Sequence, residues 1–227
     1  MRLSAWIPRF GSVSAALAIL AGCATSSVDS GATPPDRSLL VRPGRAGFVV
    51  AARADRSAGA TTIAREIADH TGFGLVVAAR SSDGGTPRPL SEAYERAATE
   101  AARGPLRFLV ELSEAERPPC AGRMDIATIG VDTELAVRLR ALAELIRDAH
   151  LRVNPEVVRL GVVVDAGADG AGSTASQPRA RIVGASLRPQ RALSIELPPC
   201  GRRDWRQMYG AVLADFVAEA AALPAGR

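Results

Sequence analysis

The stretch ALSIELPPCGRR, residues 192–203, decides how this chain is read, because a close variant stands earlier as FLVELSEAERPPCAGR, residues 108–123. Each has an apolar run, then Glu-Leu, then Pro-Pro-Cys, with Gly-Arg just beyond. Short apolar runs closed by proline read as buried strands. Two strands that end alike point to two parallel neighbours delivering Glu111 and Glu196 to one sheet edge. The loops after them would carry Cys120 and Cys200.

Working outward, strand-like and helix-like segments alternate. Residues 47–53 (GFVVAAR), 73–79 (FGLVVAA), 106–112, 124–130, 157–165, 179–187 and 192–197 read as strands, with a near-hairpin expected around RPQ, residues 188–190. Between them, residues 60–72 place Ile63, Ala64, Ile67 and Ala68 on one helical face, with Gly72 as a stop. Ser91 is set to cap a helix over 91–104, and Asp132 or Thr133 one over 133–150. A last helix from Asp204 turns Trp205, Tyr209, Val212, Leu213, Phe216 and Val217 inward. Strands separated by helices imply an α/β fold, a mixed and mainly parallel sheet with helices on both faces. In such sheets, ligands bind outside the carboxyl ends of the strands.

The 227 residues suffice for one sizeable domain and an appendage, and 47% are hydrophobic. Aromatics are only 4%, so the core must come from Ala, Val, Leu and Ile. All 28 basic residues are Arg, and the net charge is +4. The arginines are interleaved with acids and show no aromatic-basic stripe, which speaks against a nucleic-acid partner.

The first 23 residues resemble a bacterial lipoprotein signal peptide. Arg2 and Arg9 precede the apolar run GSVSAALAIL, which leads into LAGC, residues 20–23, the pattern of a lipobox. The resemblance implies removal of residues 1–22 and lipid on Cys23. Ala24, rather than Asp, follows it and points to the outer membrane, facing the periplasm. Residues 23–45 then read as the lipidated cysteine and a Ser-, Gly- and Pro-rich tether, with a globular domain over 46–227. With Cys23 used by lipid, Cys120 and Cys200 remain as a pair in an oxidising compartment, and a disulfide is expected. In the chain-entropy model such a closure contributes about 4–5 kcal/mol.

FVVAARADRSAGATTIAREIA, RFLVELSEAE, DIATIG and ALSIELP…RRDWRQMYGAVLADFV follow one another in an order that resembles the N-formylglutamate amidohydrolase-like proteins and, more distantly, zinc carboxypeptidases. The resemblance spans most of residues 47–220. It implies a three-layer α/β fold and a zinc hydrolase with a His after the first strand, an acid nearby, a second His after a later strand, and a late-strand Glu as general base. The chain departs from this pattern at the metal positions. Arg53 stands where the first His belongs, with Asp55 near the acid position, and Ser113 stands at the second. Glu196 is kept. The only histidines, His70 and His150, end helices and read as cations near helix C-termini.

A zinc site without His or free Cys is not expected, so no metal and no cofactor is assigned. Arg53, Glu111 and Ser113 are the expected ligand contacts, with Glu196 as the residue carried over from a catalytic role. An Arg53 pair with Glu111 or Glu196, or plain strand-end carboxylates, are both open readings. Other motifs are weaker. AGATT lacks the Lys of a phosphate loop, DAGADGAG lacks the later ligands of a calcium loop, and no G-x-S-x-G occurs. The expected function is a membrane-anchored envelope lipoprotein with an amidohydrolase-like domain that has lost its zinc. It would bind an acidic or peptide-like ligand in the former cleft. The alternative is an active amide hydrolase with Glu196 as general base.

Overall fold

The structure, a computed structural model, describes residues 39–53, 59–78, 88–114, 122–166, 183–198 and 203–224. Cys23, Cys120, Cys200, the lipobox and Asp55 lie outside the described residues. Seven strands form one sheet: β1 (Leu39–Arg42), β2 (Arg45–Arg53), β3 (Phe73–Ala78), β4 (Phe108–Glu114), β5 (Arg123–Ile129), β6 (Gly161–Asp165) and β7 (Arg191–Leu197). Their order is β1-β3-β2-β4-β7-β5-β6. Pairs β3·β2, β2·β4, β4·β7 and β5·β6 are parallel, while β1·β3 and β5·β7 are antiparallel. The α/β, mainly parallel mixed sheet expected from the alternation is the one observed.

Period-two alternation in the central strands sorts the layers. Phe48, Val50, Phe108, Val110, Leu112, Leu193 and Ile195 face a layer made by α1 (Gly59–Thr71), α3 (Thr133–Leu151) and α4 (Arg203–Ala222). Val49, Ala51, Leu109 and Ala192 face α2 (Arg88–Ala102) on the other side. Three layers result. The scarcity of aromatics shows in α2, which packs through Ala97, Ala98, Ala101 and Ala102. Small side chains let its backbone approach the sheet, and at Gly74 the space of a Cβ is taken by the Ala101 carbonyl oxygen.

Helix boundaries follow local chemistry. Gly72, at φ +70, ends α1 as expected. The Asp132 carboxylate accepts from Leu135 N at 2.7 Å and caps α3. The helix α2 begins at Arg88, so Ser91 lies inside it rather than capping it. Two strand expectations are corrected. Residues 183–187 form a short 3-10 helix, not a strand, and no hairpin forms around residues 188–190. Both sides of β7 are taken by β4 and β5, which leaves that segment no ladder to join. The missing strand is supplied by Leu39–Arg42, inside the stretch read as tether, which pairs with β3 at the sheet edge.

The close approach of α2 yields a first prediction. Gly74→Ala has to push the α2 backbone away from the sheet, and is expected to cost about 1–3 kcal/mol. Urea unfolding of wild type and variant measures it.

Candidate functional site

The strands β2, β3, β4 and β7 run the same way, so their carboxyl ends share one edge, joined there by the amino end of the antiparallel β5. The chain leaves β2 for β3 on one side and returns as β4 on the other. This is the topological switch at which open α/β sheets form their crevice. Three of the candidate positions, Arg53, Ser113 and Glu196, map to it by register, and Asp125 joins them. Ser113 pairs with Glu196, and Glu196 pairs with Asp125 of β5. Arg53 follows one step beyond the Ala52–Leu112 pair, so its backbone falls beside Ser113. The row Arg53–Ser113–Glu196–Asp125 thus crosses four adjacent strands, with Ser113, Glu196 and Asp125 on the α2 face. With strands about 4.8 Å apart, the Arg53 and Glu196 backbones lie about 10 Å from each other.

Glu111 is not part of that row. The strand β4 runs on through Ser113 and Glu114, which leaves Glu111 in mid-strand rather than at the strand end expected for it. It is 9% exposed. Its Oε1 accepts from the Tyr94 hydroxyl of α2 at 2.6 Å and from Gly184 N of the 3-10 helix at 2.8 Å. Gly184 has no space for a Cβ, because Leu109 Cδ2 stands at 2.5 Å from that position and Glu111 Oε1 at 3.2 Å. The ligand contact expected at Glu111 is therefore a buried clasp that fixes two elements onto the sheet beneath the row.

The structure adds residues that the sequence did not single out. Asp125 closes the row and takes Arg123 Nε on Oδ2 at 3.1 Å. On the opposite face of β4, the Glu114 carboxylate occupies the place a side chain at Gly59 would need, at the start of α1, with Arg206 Nε 3.2 Å from the same point. The signal for this contact is the glycine itself, which admits a carboxylate at a helix N-terminus.

Both histidines lie on helices, away from the row. His70 Nε2 reaches Asp215 Oδ1 at 3.2 Å and His150 Nε2 reaches Asp215 Oδ2 at 2.8 Å. Their helix-terminal positions are as expected, but the partner is a side chain of α4. Beside them, Glu66 lies against Gly210 at the α1–α4 contact. Burial raises the Glu66 carboxyl above its ordinary value, and the charge of nearby His70 opposes that rise. As for the zinc that the resemblance implies, the row offers oxygen donors from Ser113, Glu196 and Asp125 and no imidazole or thiolate. Among the described residues, no three His, Cys, Asp or Glu side chains form a group suited to an ion. This donor set does not match zinc.

No protein-family model matches the chain. A search of curated proteins finds no match. Solved structures do match. The chain is similar to a metallo-carboxypeptidase from Burkholderia cenocepacia, with TM-score 0.45 and 10% identity over 81% of this chain and 60% of that one. It is similar to the N-acetylmuramoyl-L-alanine amidase from Clostridium difficile 630, with TM-score 0.42 and 10% identity over 76% of this chain and 96% of that one. It is also similar to the zinc-free apo form of YNDL, with TM-score 0.44 and 10% identity over 82% of this chain and 92% of that one. The chain spans 60% of the length of the carboxypeptidase. What the row can do is read from its own residues.

Two predictions test this description. Glu111→Ala removes the acceptor that the Tyr94 hydroxyl and the Gly184 N–H share, with an expected loss of about 2–4 kcal/mol in urea unfolding. Glu111→Gln keeps an acceptor oxygen and is expected to lose less than half of that. At Glu66, the folded state favours the protonated carboxyl. This group's contribution to stability is therefore lowest at neutral pH and rises as pH falls through the folded pKa toward 4.5. Glu66→Gln is expected to melt above wild type at neutral pH, with the gap closing as pH is lowered. A gap independent of pH would contradict it.

Proposed function

We propose that this chain is a membrane-anchored envelope lipoprotein whose hydrolase-like α/β domain has given up zinc chemistry and binds an acidic or peptide-like ligand at the carboxyl edge of β2, β4 and β7. The observation that carries the reading is the row Arg53–Ser113–Glu196–Asp125 at the switch point. Arg53 stands where the resemblance puts a metal-binding His, so a fixed cation takes the place of a metal. A guanidinium suits a carboxylate, and Glu196 further along the row suits an ammonium. A short peptide with a free end offers both. The lipid would sit on Cys23, holding the domain at the outer membrane on the periplasmic side. A second reading, an amide hydrolase with Glu196 as general base, draws on the half-buried Glu196, which pairs in register with Ser113.

Metal analysis of the purified chain after incubation with zinc and with magnesium, paired with calorimetric titration of glutamate-containing dipeptides, separates the two. The expected result is no stoichiometric metal, and dipeptide binding that Arg53→Ala weakens about tenfold or more, the worth of one charge-assisted contact. Tightly held stoichiometric zinc, with amide hydrolysis abolished by Glu196→Gln, would establish the second reading instead. For the anchor, Cys23→Ser is expected to move the protein from the membrane fraction to the soluble fraction. Unchanged membrane association would remove lipidation from the proposal.

A further inference from the structure

The amino edge of the sheet, opposite the row, holds a second concentration of charge. Phe48, Phe73 and Phe108 meet there with ring centroids 5.0 to 6.4 Å apart. Arg45 lies over the Phe48 ring, with Cζ 4.4 Å from the centroid, and Arg191 over Phe108 at 5.1 Å. Arg191 opens β7 directly opposite Phe108, and its backbone N–H donates to the Arg107 carbonyl at 3.0 Å. Its side chain is 7% exposed. One hydrogen bond leaves the guanidinium, from Nη2 to the Leu223 carbonyl just past α4, at 3.1 Å. Nε and Nη1 are buried and have no acceptor among the described residues.

A charged group taken out of water needs its donors satisfied. The ring of Phe108 offsets part of the cost and supplies no lone pair. Burial alone also pulls the Arg191 guanidinium below its ordinary value. Among the described residues no carboxylate pairs with Arg191, Arg45 or Arg107.

We propose that Arg191 anchors an oxyanion site at the amino edge of β4 and β7, accepting a carboxylate or phosphate oxygen on its unpaired N–H groups. A guanidinium favours such oxygens over a spherical anion. Arg45 and Arg107, exposed on the neighbouring strands, raise the local concentration of anions. The site lies under the end of α4, whose Leu223 carbonyl Arg191 already holds.

Thermal unfolding of the purified chain in inorganic phosphate, against sodium chloride at matched ionic strength, tests the proposal. A saturable rise is expected, about 5 °C at a phosphate concentration 100 times the dissociation constant. Arg191→Met is expected to lose that response and, without phosphate, to melt no lower than wild type, since it removes an unpaired buried charge. Equal effects of phosphate and chloride on wild type would overturn the site. So would a phosphate response retained in R191M. A much lower melting point of R191M in chloride would also overturn it, by making the guanidinium a satisfied structural group. Should R191M not fold, calorimetric titration of wild type with phosphate decides: single-site saturation supports the site and its absence refutes it. Acetate in place of phosphate, and phosphatidylglycerol against phosphatidylcholine vesicles, separate a carboxylate, a free phosphate and a lipid headgroup as sources.

Discussion

One carboxylate oxygen holds the α2 face of this protein together. Glu111 Oε1 receives a hydroxyl from α2 and a backbone N–H from the 3-10 helix, two elements separated by about two fifths of the chain. A buried carboxylate demands donors, and each donor in turn needs an acceptor, so the three groups are costly apart and stable together. The demand propagates outward. Tyr94 orients α2 on the sheet, and Gly184 sets the approach of the chain into β7. The position of Glu196, at the other end of β7, depends on that entry.

The two faces of β4 have different tasks. Toward α1 and α4 it contributes Phe108, Val110 and Leu112 to the larger core, and Glu114 to the start of α1. Toward α2 it contributes Leu109 to packing, Glu111 to the clasp and Ser113 to the row. Alternation along a single strand thus separates what holds the domain from what it presents. The other helix layer has its own polar fastening. The Tyr209 hydroxyl accepts from Leu160 N and donates to the Val158 carbonyl, both at 2.8 Å, while Arg147 Nη1 donates to Leu160 O at 2.6 Å. These contacts fix the connection between α3 and β6 without further aromatic bulk.

Much of this was legible from periodicity. The inward residues of α4, the stop at Gly72 and the cap at Asp132 follow from local rules, and the echo at Glu111 and Glu196 identifies two parallel neighbours. What was not legible depends on register and on partners far along the chain. The Glu-Leu echo invites a match of Glu111 with Glu196, but the ladder pairs Glu196 with Ser113. That offset of two residues moves Glu111 from the edge into the interior. Asp125 enters the row only because β5 is antiparallel to β7, which no local signal specifies. The residues 183–187 have strand-like composition and lack a free ladder. Leu39–Arg42 are polar-flanked and short, yet find an open sheet edge. His70 and His150 carry no sign of their shared Asp215, which belongs to a third helix.

The place of β7 has a consequence for how the chain comes to its native state. It is the last strand in sequence, yet it lies between β4 and β5 in the sheet. Until residues 191–197 arrive, β4 has an unfilled side and the β5–β6 pair has no sheet to join. Exposed strand edges of this kind recruit other chains, and pairing across so long a separation is slow. A chain held unfolded until its whole length is present avoids that interval. Emergence of residues 39–114 alone would leave the parallel unit β2·β3·β4 with β4 unpaired along one side. The late central strand is thus the seam of the sheet, the one element through which β1–β4 and the β5·β6 pair become continuous.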